Sequence, residues 1–439
     1  MKKTILNLAA LVLLVLPPAT YIFINPVVDA FMFIRVFGLV GFTLISLQFL
    51  LSSRLPFIEK TYGQDQLIYV HRLAGITAVL LLIGHGVIYL VYRISASGGL
   101  RLRFPSDIPV LGGIAGLILL ILVAFTAAFR VNLKLSYERW KILHRITFVL
   151  YPGLFIHSML LGTTIASNRL VYILWLTMFA MVLFSWVWRI HLYLRSRKKP
   201  YMLSSIEPLN HDVVQLSFAG EDLDHKPGQF AFISLKIGDK TEPAHPFTIS
   251  SSPISKDVVF TIKAVGDFTS QLVDNHAGSS AYIEGPYGRF SYTNVDDSSP
   301  LLFIAGGVGI TPMLSMLRLL RKDDPDRRIV FIWGNKTEED IFLKEELREI
   351  QNDMKNLKMV HVLSKAQDPG SVNAAQAAEI PGLLDYGFVD ESCLNRHAAV
   401  EKDWEVFVCG PPVMMSKLSK TLKVSGVPSA KVHMEKFSL

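Results

Sequence analysis

The chain has 439 residues, of which 51% are hydrophobic and only 18% charged, with a net charge of +7; its mean hydropathy of +0.37 is high for a soluble protein. A pI near 9.2 invites a nucleic-acid reading. Many of the basic residues flank apolar segments instead, where they fit membrane topology, and no basic stripe with interleaved aromatics occurs, so nucleic acid is set aside. Only two cysteines occur, Cys393 and Cys409, both in the less apolar half; they exclude a disulfide framework and fit a reducing cytosol.

The apolar character is concentrated before about residue 199, which leaves room for a membrane bundle and two soluble domains. Lys2-Lys3 and the apolar run to Leu16 have the form of a secretory signal, but the run resumes through Tyr21 to Ile24 and no small-x-small site follows. It reads as a first membrane helix. Six apolar segments follow one another over about 4–25, 31–52, 68–92, 109–130, 142–162 and 170–194, each long enough for a ~30 Å hydrocarbon core. Arg54, Lys60, Arg130, Lys134, Arg139, Lys141, Arg195, Arg197, Lys198 and Lys199 lie at one set of ends, against Arg93, Arg101, Arg103 and Arg169 at the other. This bias places both termini and the soluble half in the cytoplasm, below a cell membrane.

Within the apolar segments stand His71, His85, His144 and His157. An ionisable side chain in a bilayer is costly and needs a reason. The intervals are 14 and 13 residues, which at ~1.5 Å per residue separates the members by about 20 Å. Side by side, the two helices offer a histidine pair near each membrane face, the axial ligand set for two stacked haems. The bland alternative is hydrogen-bonded packing histidines, which suits one such residue better than four. At ~100° per residue, 14 steps return to within about 40° of the same face but 13 leave about 140°. A kink at Pro152-Gly153 is expected to re-phase the helix so that His157 faces His85. His191 has no partner at this spacing and is expected at the interface. Arg35, Arg54, Arg72, Arg139 and Arg145 suit haem propionates and lipid phosphates equally.

From Tyr201 the pattern turns β-rich, with strands expected at 213–218, 229–237, 258–265 and 281–284, which suits a small antiparallel barrel. It contains His245-Pro246-Phe247-Thr248-Ile249-Ser250-Ser251, then Lys263 and Gly266-Asp267-Phe268-Thr269-Ser270, which opens a short helix. A flavin needs an apolar wall, a hydroxyl near its reactive edge and backbone amides for its pyrophosphate. Each stretch alone is equally an ordinary strand end or capped helix. Next, the apolar run 301–305 feeds Gly306-Gly307-Val308-Gly309-Ile310-Thr311-Pro312 and a helical run to Leu320; 329–333 feeds Gly334-Asn335-Lys336-Thr337; 406–408 feeds Cys409-Gly410-Pro411-Pro412. Strands ending in polar turns, with helices between them, indicate a parallel α/β sheet whose ligand sits at the carboxyl ends.

Taken together, the paired histidines, His-Pro-Phe-Thr-Ile-Ser-Ser, Gly-Asp-Phe-Thr, Glu-Gly-Pro-Tyr-Gly at 284–288, Gly-Gly-Val-Gly-Ile-Thr-Pro-Met and Val-Cys-Gly-Pro-Pro occur in one order along the chain. In this the sequence resembles the ferric reductase and NADPH oxidase superfamily, in the manner of a bacterial oxidase-like flavocytochrome b, over almost its whole length. The resemblance implies a six-helix transmembrane haem bundle (1–199), then a ferredoxin-reductase-like module of an antiparallel β-barrel FAD domain (200–298) and an α/β parallel-sheet NAD(P)H domain (299–439). It pairs His71 with His144 on an inner haem b and His85 with His157 on an outer one. It puts His245, Pro246, Phe247 and Thr248 against FAD, with Thr248 at the redox edge, and Lys263, Gly266, Thr269 and Ser270 at its phosphates. Gly307, Gly309, Thr311 and Pro312 cradle the nicotinamide dinucleotide, Cys409 and Gly410 lie beside the nicotinamide, and Phe437 resembles the aromatic that covers the flavin. The implied activity takes electrons from NAD(P)H to an external acceptor, dioxygen or a ferric chelate. The 13-residue interval resembles the oxidases more than the fungal ferric reductases. NADPH is expected over NADH, since no acidic residue stands right after the strand end at Trp333 and Lys336 suits a 2′-phosphate. A haem sensor or electron-relay subunit is the non-enzyme alternative, and it leaves the flavin and dinucleotide motifs without a use.

Overall fold

The computed structural model describes residues 2–97, 107–220, 223–237, 240–264, 279–366, 377–398 and 402–435. It divides into two units, Met1–Leu192 and Tyr193–Leu439.

The first unit is helical: α1 (Lys2–Ile24), α2 (Ala30–Leu51), α3 (Pro56–Tyr62), α4 (Gln64–Ser97), α5 (Ile108–Ala128), α6 (Tyr137–His144), α7 (Thr147–Leu161), α8 (Thr163–Ser167) and α9 (Arg169–Ser196). Among the described residues five of these, α1, α2, α4, α5 and α9, are long and apolar enough to cross a membrane. The segment 142–162, expected as a single crossing, is divided between α6 and α7 by a turn at Arg145-Ile146. Large apolar side chains cover the outside of the bundle, Leu80, Val149 and Val187 among them, a surface that water does not tolerate but lipid does. Inside, Phe42 stacks on Tyr151 and Trp175. The Tyr151 and Ser46 hydroxyls pair at 3.1 Å, which satisfies two buried polar groups at once.

The second unit begins with β1 (Tyr201–Pro208), β2 (Val213–Ala219), β3 (Phe230–Ile237), β4 (Lys240–Thr241), β5 (His245–Thr248), β6 (Val258–Lys263) and β7 (Ser280–Tyr287). Their antiparallel order β4-β3-β7-β1-β2-β6, with β5 on β3, closes through a bridge between Ile249 and Phe260. The inward positions Leu216, Phe218, Ile233 and Phe260 fill the interior. A parallel sheet follows, built of β8 (Leu301–Gly306), β9 (Ile329–Asn335), β10 (Leu357–Leu363), β11 (Leu383–Tyr386), β12 (Glu405–Cys409) and β13 (Val432–Glu435) in the order β11-β10-β9-β8-β12-β13. Buried on both faces, β8 and β12 read as continuous apolar runs. The chain proceeds outward from β8 to β11 and then returns to the other side of β8 with β12. The strand order therefore reverses between β8 and β12, and ligands of such sheets bind at that switch point.

Candidate functional site

In the helical unit, His71 and His85 lie on the single continuous helix α4, while His144 ends α6 and His157 lies on α7. The His71 and His144 rings face each other with centroids 6.1 Å apart. Among the described residues His144 Nδ1 is buried without a hydrogen-bond partner, whereas the His71 ring has the Gln48 backbone of α2 beside it; Trp140 packs 5.3 Å from His144. His85 Nδ1 donates to the Ile34 carbonyl of α2 at 2.7 Å, and His157 Nδ1 donates to the Pro109 carbonyl of α5 at 2.8 Å. A carbonyl only accepts, so Nδ1 carries the hydrogen in both rings, and in the neutral tautomer this leaves Nε2 as the nitrogen with a lone pair for a metal. Each of these rings also needs a glycine. A Cβ on Gly38 would stand 2.9 Å from His85 Nδ1, and one on Gly113 only 2.3 Å from His157 Cε1.

The re-phasing of the 13-residue interval occurs at a different place from the one expected. Pro152 sits inside α7 without ending it. The change comes immediately after His144, where Arg145, Ile146, Phe148 and Val149 donate to the carbonyls three residues back, Ile142, Leu143, Arg145 and Ile146. A turn closed at three residues winds ~120° per residue rather than ~100°. About five residues wound this way recover about 100° of the 140° deficit and leave the same ~40° as the 14-residue interval. His191 is exposed and stacks on Trp188.

In the second unit, His245, Pro246, Phe247 and Thr248 form β5, with Thr248 buried at its end. Ser250, Ser251 and Ser252 continue it as buried chain. Lys263 ends β6 with its ammonium 2.9 Å from Asp212. Gly266, Thr269, Ser270 and Phe437 lie outside the described residues.

The turn after β8 and the turn after β12 press on each other. A Cβ on Gly309 would meet the Cys409 carbonyl at 2.4 Å, and one on Gly410 would meet Gly306 N at 3.0 Å. Gly307 takes φ +53°, with open space where a Cβ would be, so the backbone is left approachable there. Its carbonyl accepts the Trp333 indole N–H at 2.8 Å. Thr311 donates to the Val308 carbonyl, and Pro312 occupies the first turn of the helix Thr311–Asp323. Cys409 is fully buried, and burial, with Glu435 nearby, pushes its thiol well above the ordinary range. It offers the site a neutral, apolar sulfur.

Two residues that sequence reasoning passed over join the flavin-type strand to this turn. Ser315 Oγ donates to the Ser251 carbonyl at 2.6 Å, and Arg318 Nη1 donates to the Ser250 carbonyl at 2.7 Å. Arg318 is held in turn by a bidentate pair with Glu346. Their signal in the sequence is a serine and an arginine one turn apart on an otherwise apolar helix face. Gly38 and Gly113 gave none, because glycines are common in membrane helices.

Three family models match in succession: "Ferric reductase like transmembrane component" over 37–155, "FAD-binding domain" over 199–291 and "Oxidoreductase NAD-binding domain" over 303–420. The chain is 29% identical over 242 residues to the propane 2-monooxygenase reductase component of Rhodococcus jostii, covering 54% of this chain and 62% of that one. It is 33% identical over 205 residues to NADH-cytochrome b5 reductase 1 of Mortierella alpina, covering 46% and 64%. It thus spans less than two thirds of the length of these relatives. Among solved structures, flavohemoglobin from Malassezia yamatoensis matches in fold with a TM-score of 0.51 at 18% identity, over 92% of this chain and 96% of that one.

Proposed function

We propose that the chain is a member of the ferric reductase and NADPH oxidase superfamily, an NAD(P)H-dependent oxidoreductase with a membrane-spanning part, and that it passes electrons from cytosolic NAD(P)H, by way of FAD and two b-type haems, to an acceptor across a cell membrane. The observation that carries this is the facing of His71 and His144. The ring centroids stand 6.1 Å apart, a separation that would let both imidazoles hold one haem iron between them.

α6 and α7 together supply the sixth crossing, so that both termini and the second unit lie in the cytoplasm. His71 and His144 then hold the inner haem, and His85 and His157 the outer. When bound, FAD accepts a hydride and releases electrons singly, and each haem iron carries one electron at a time. Thr248 supplies a hydroxyl at the flavin edge, Gly307 and Gly309 admit the dinucleotide phosphates, and buried Cys409 bounds the nicotinamide with an apolar wall. Ser315 and Arg318 keep the flavin-bearing strand and the dinucleotide turn in one alignment.

Dioxygen, yielding superoxide, is the acceptor put first by the resemblance of the histidine interval; a ferric chelate on the same path is the alternative. NADPH is the expected reductant, because Lys336 stands exposed at the carboxyl end of β9. Purified protein should reduce cytochrome c with NADPH in a manner abolished by superoxide dismutase. Anaerobic reduction of ferric citrate supports the chelate instead. No turnover with either acceptor sinks the proposal, and rates at equal NADH and NADPH concentrations decide the reductant.

A further inference from the structure

At the end of the bundle where the Ile34 carbonyl holds His85, a cavity of about 230 Å³ opens between α1, α2 and α8. Its polar lining comes from Arg35, Asn25, Thr163, Thr164, Ser167 and Asn168, with no carboxylate. An adjoining cavity shares Asn25 and Arg35 and reaches Asp29, whose Oδ1 already accepts the Met32 N–H at 2.9 Å.

Arg35 has no carboxylate or hydrogen-bonded partner among the described residues. Its guanidinium lies over the rings of Tyr21 and Phe31, at 5.1 and 5.6 Å, contacts that use none of its N–H donors. Thr164 is 7% exposed, and its buried hydroxyl has no partner. Asn168 spends its Oδ1 on the Val171 N–H, so its amide N–H groups are what remain. A buried hydroxyl without a partner is costly. One fixed cation amid an excess of donors is the complement of a carboxylate, and the space is below that of a drug-sized pocket, roughly 300–1,000 Å³.

We infer that this vestibule binds the carboxylates of a small dissolved anion, with Arg35 as the bidentate partner and Thr164 and Asn168 as flanking donors. The inference deepens the electron-path reading and rests on it in one respect: the ligand sits where the outer haem would hand electrons on, so an acceptor arriving as a carboxylate chelate would dock here. Carboxylate could also come from the outer haem's own propionate.

The test is calorimetric titration of metal-free citrate into the full chain, haem-loaded, in phosphatidylcholine nanodiscs, with visible spectra recorded alongside. Saturable binding is expected, weakened at least tenfold in Arg35→Gln and a few-fold in Thr164→Val, with two low-spin haems retained in both. Loss of one haem in Arg35→Gln assigns the arginine to a propionate and overturns the inference. So does citrate binding that is absent, or equal in wild type and Arg35→Gln. A chain that takes up no haem yet binds citrate through Arg35 keeps the vestibule and sinks the electron path instead.

Discussion

The two histidine pairs are alike in residue type and differ in how they are held. His85 and His157 are fixed by neighbouring helices, each through a carbonyl on Nδ1 and a glycine against the ring. His71 and His144 face each other, His71 with the Gln48 backbone beside its ring and His144 with a buried Nδ1 that has no partner among the described residues. One pair has a close carbonyl at both rings, whereas the other has none at His144. A carbonyl on the second ring nitrogen both orients an imidazole and raises its basicity, and His144 is the one of the four rings that lacks such a partner among the described residues.

The largest effect should come from removing a ring. His85→Ala and His157→Ala are each expected to lower the haem content from two to one per chain and to leave the remaining low-spin spectrum intact, as pyridine haemochrome assay and visible spectra would record. Loss of both haems would break the picture of two independent pairs.

His361 provides a control for the comparison. It is fully buried in β10, with the Pro381 backbone beside its ring, and it faces Trp333 rather than a second histidine. Burial pushes its pKa down to about 4. Unfolded, the ring titrates near 6.5, so between those values the unfolded chain holds a proton that the folded chain lacks. Stability is complete above pH 6.5 and declines as pH falls, by up to about 3 kcal/mol near pH 4. Denaturant unfolding of the full chain at stepped pH should show this slope, flattened in His361→Leu, which keeps both haems.

Third in size is the effect of filling the glycine cradles. Gly113→Ala should disturb the His157 haem more than Gly38→Ala disturbs the His85 side, since the added carbon falls at 2.3 Å in one case and 2.9 Å in the other. A cost of about 1–3 kcal/mol is typical of such overpacking, read as reduced retention of one haem on heating. Equal tolerance of both alanines would show that the glycines are incidental.

The smallest and sharpest effect concerns potential. A carbonyl on Nδ1–H makes the imidazole a stronger donor and favours the oxidised metal, so the haem on His85 and His157 should titrate at the lower midpoint potential. Spectroelectrochemistry should show two waves, with the lower one missing in His85→Ala. Its survival would reverse the assignment.

Much of this was legible in the chain. Strands expected at 213–218 and 229–237 are found at Val213–Ala219 and Phe230–Ile237, because alternation against a buried barrel interior leaves its period in the sequence. The cost of intramembrane histidines singled out four residues, of which the structure brings His71 and His144 face to face. Their second-nitrogen partners were not legible, since any residue supplies a carbonyl and only packing decides which one arrives. The turn at Arg145-Ile146 was missed for a related reason. Proline signals a kink locally, while the overwound stretch has no residue type of its own. Ser315 and Arg318 were hidden because their acceptors are backbone groups some sixty residues away.

That overwound stretch makes the unequal spacing of the histidines a requirement. A single residue inserted after Arg145 would make the two intervals match. It would also swing His157 about 100° around the helix axis and carry it about 1.5 Å along it, away from the Pro109 carbonyl. The more symmetrical sequence would build the poorer site. A deletion elsewhere in α7 could restore the phase, so length changes in this segment should be tolerated in compensating pairs and rejected singly.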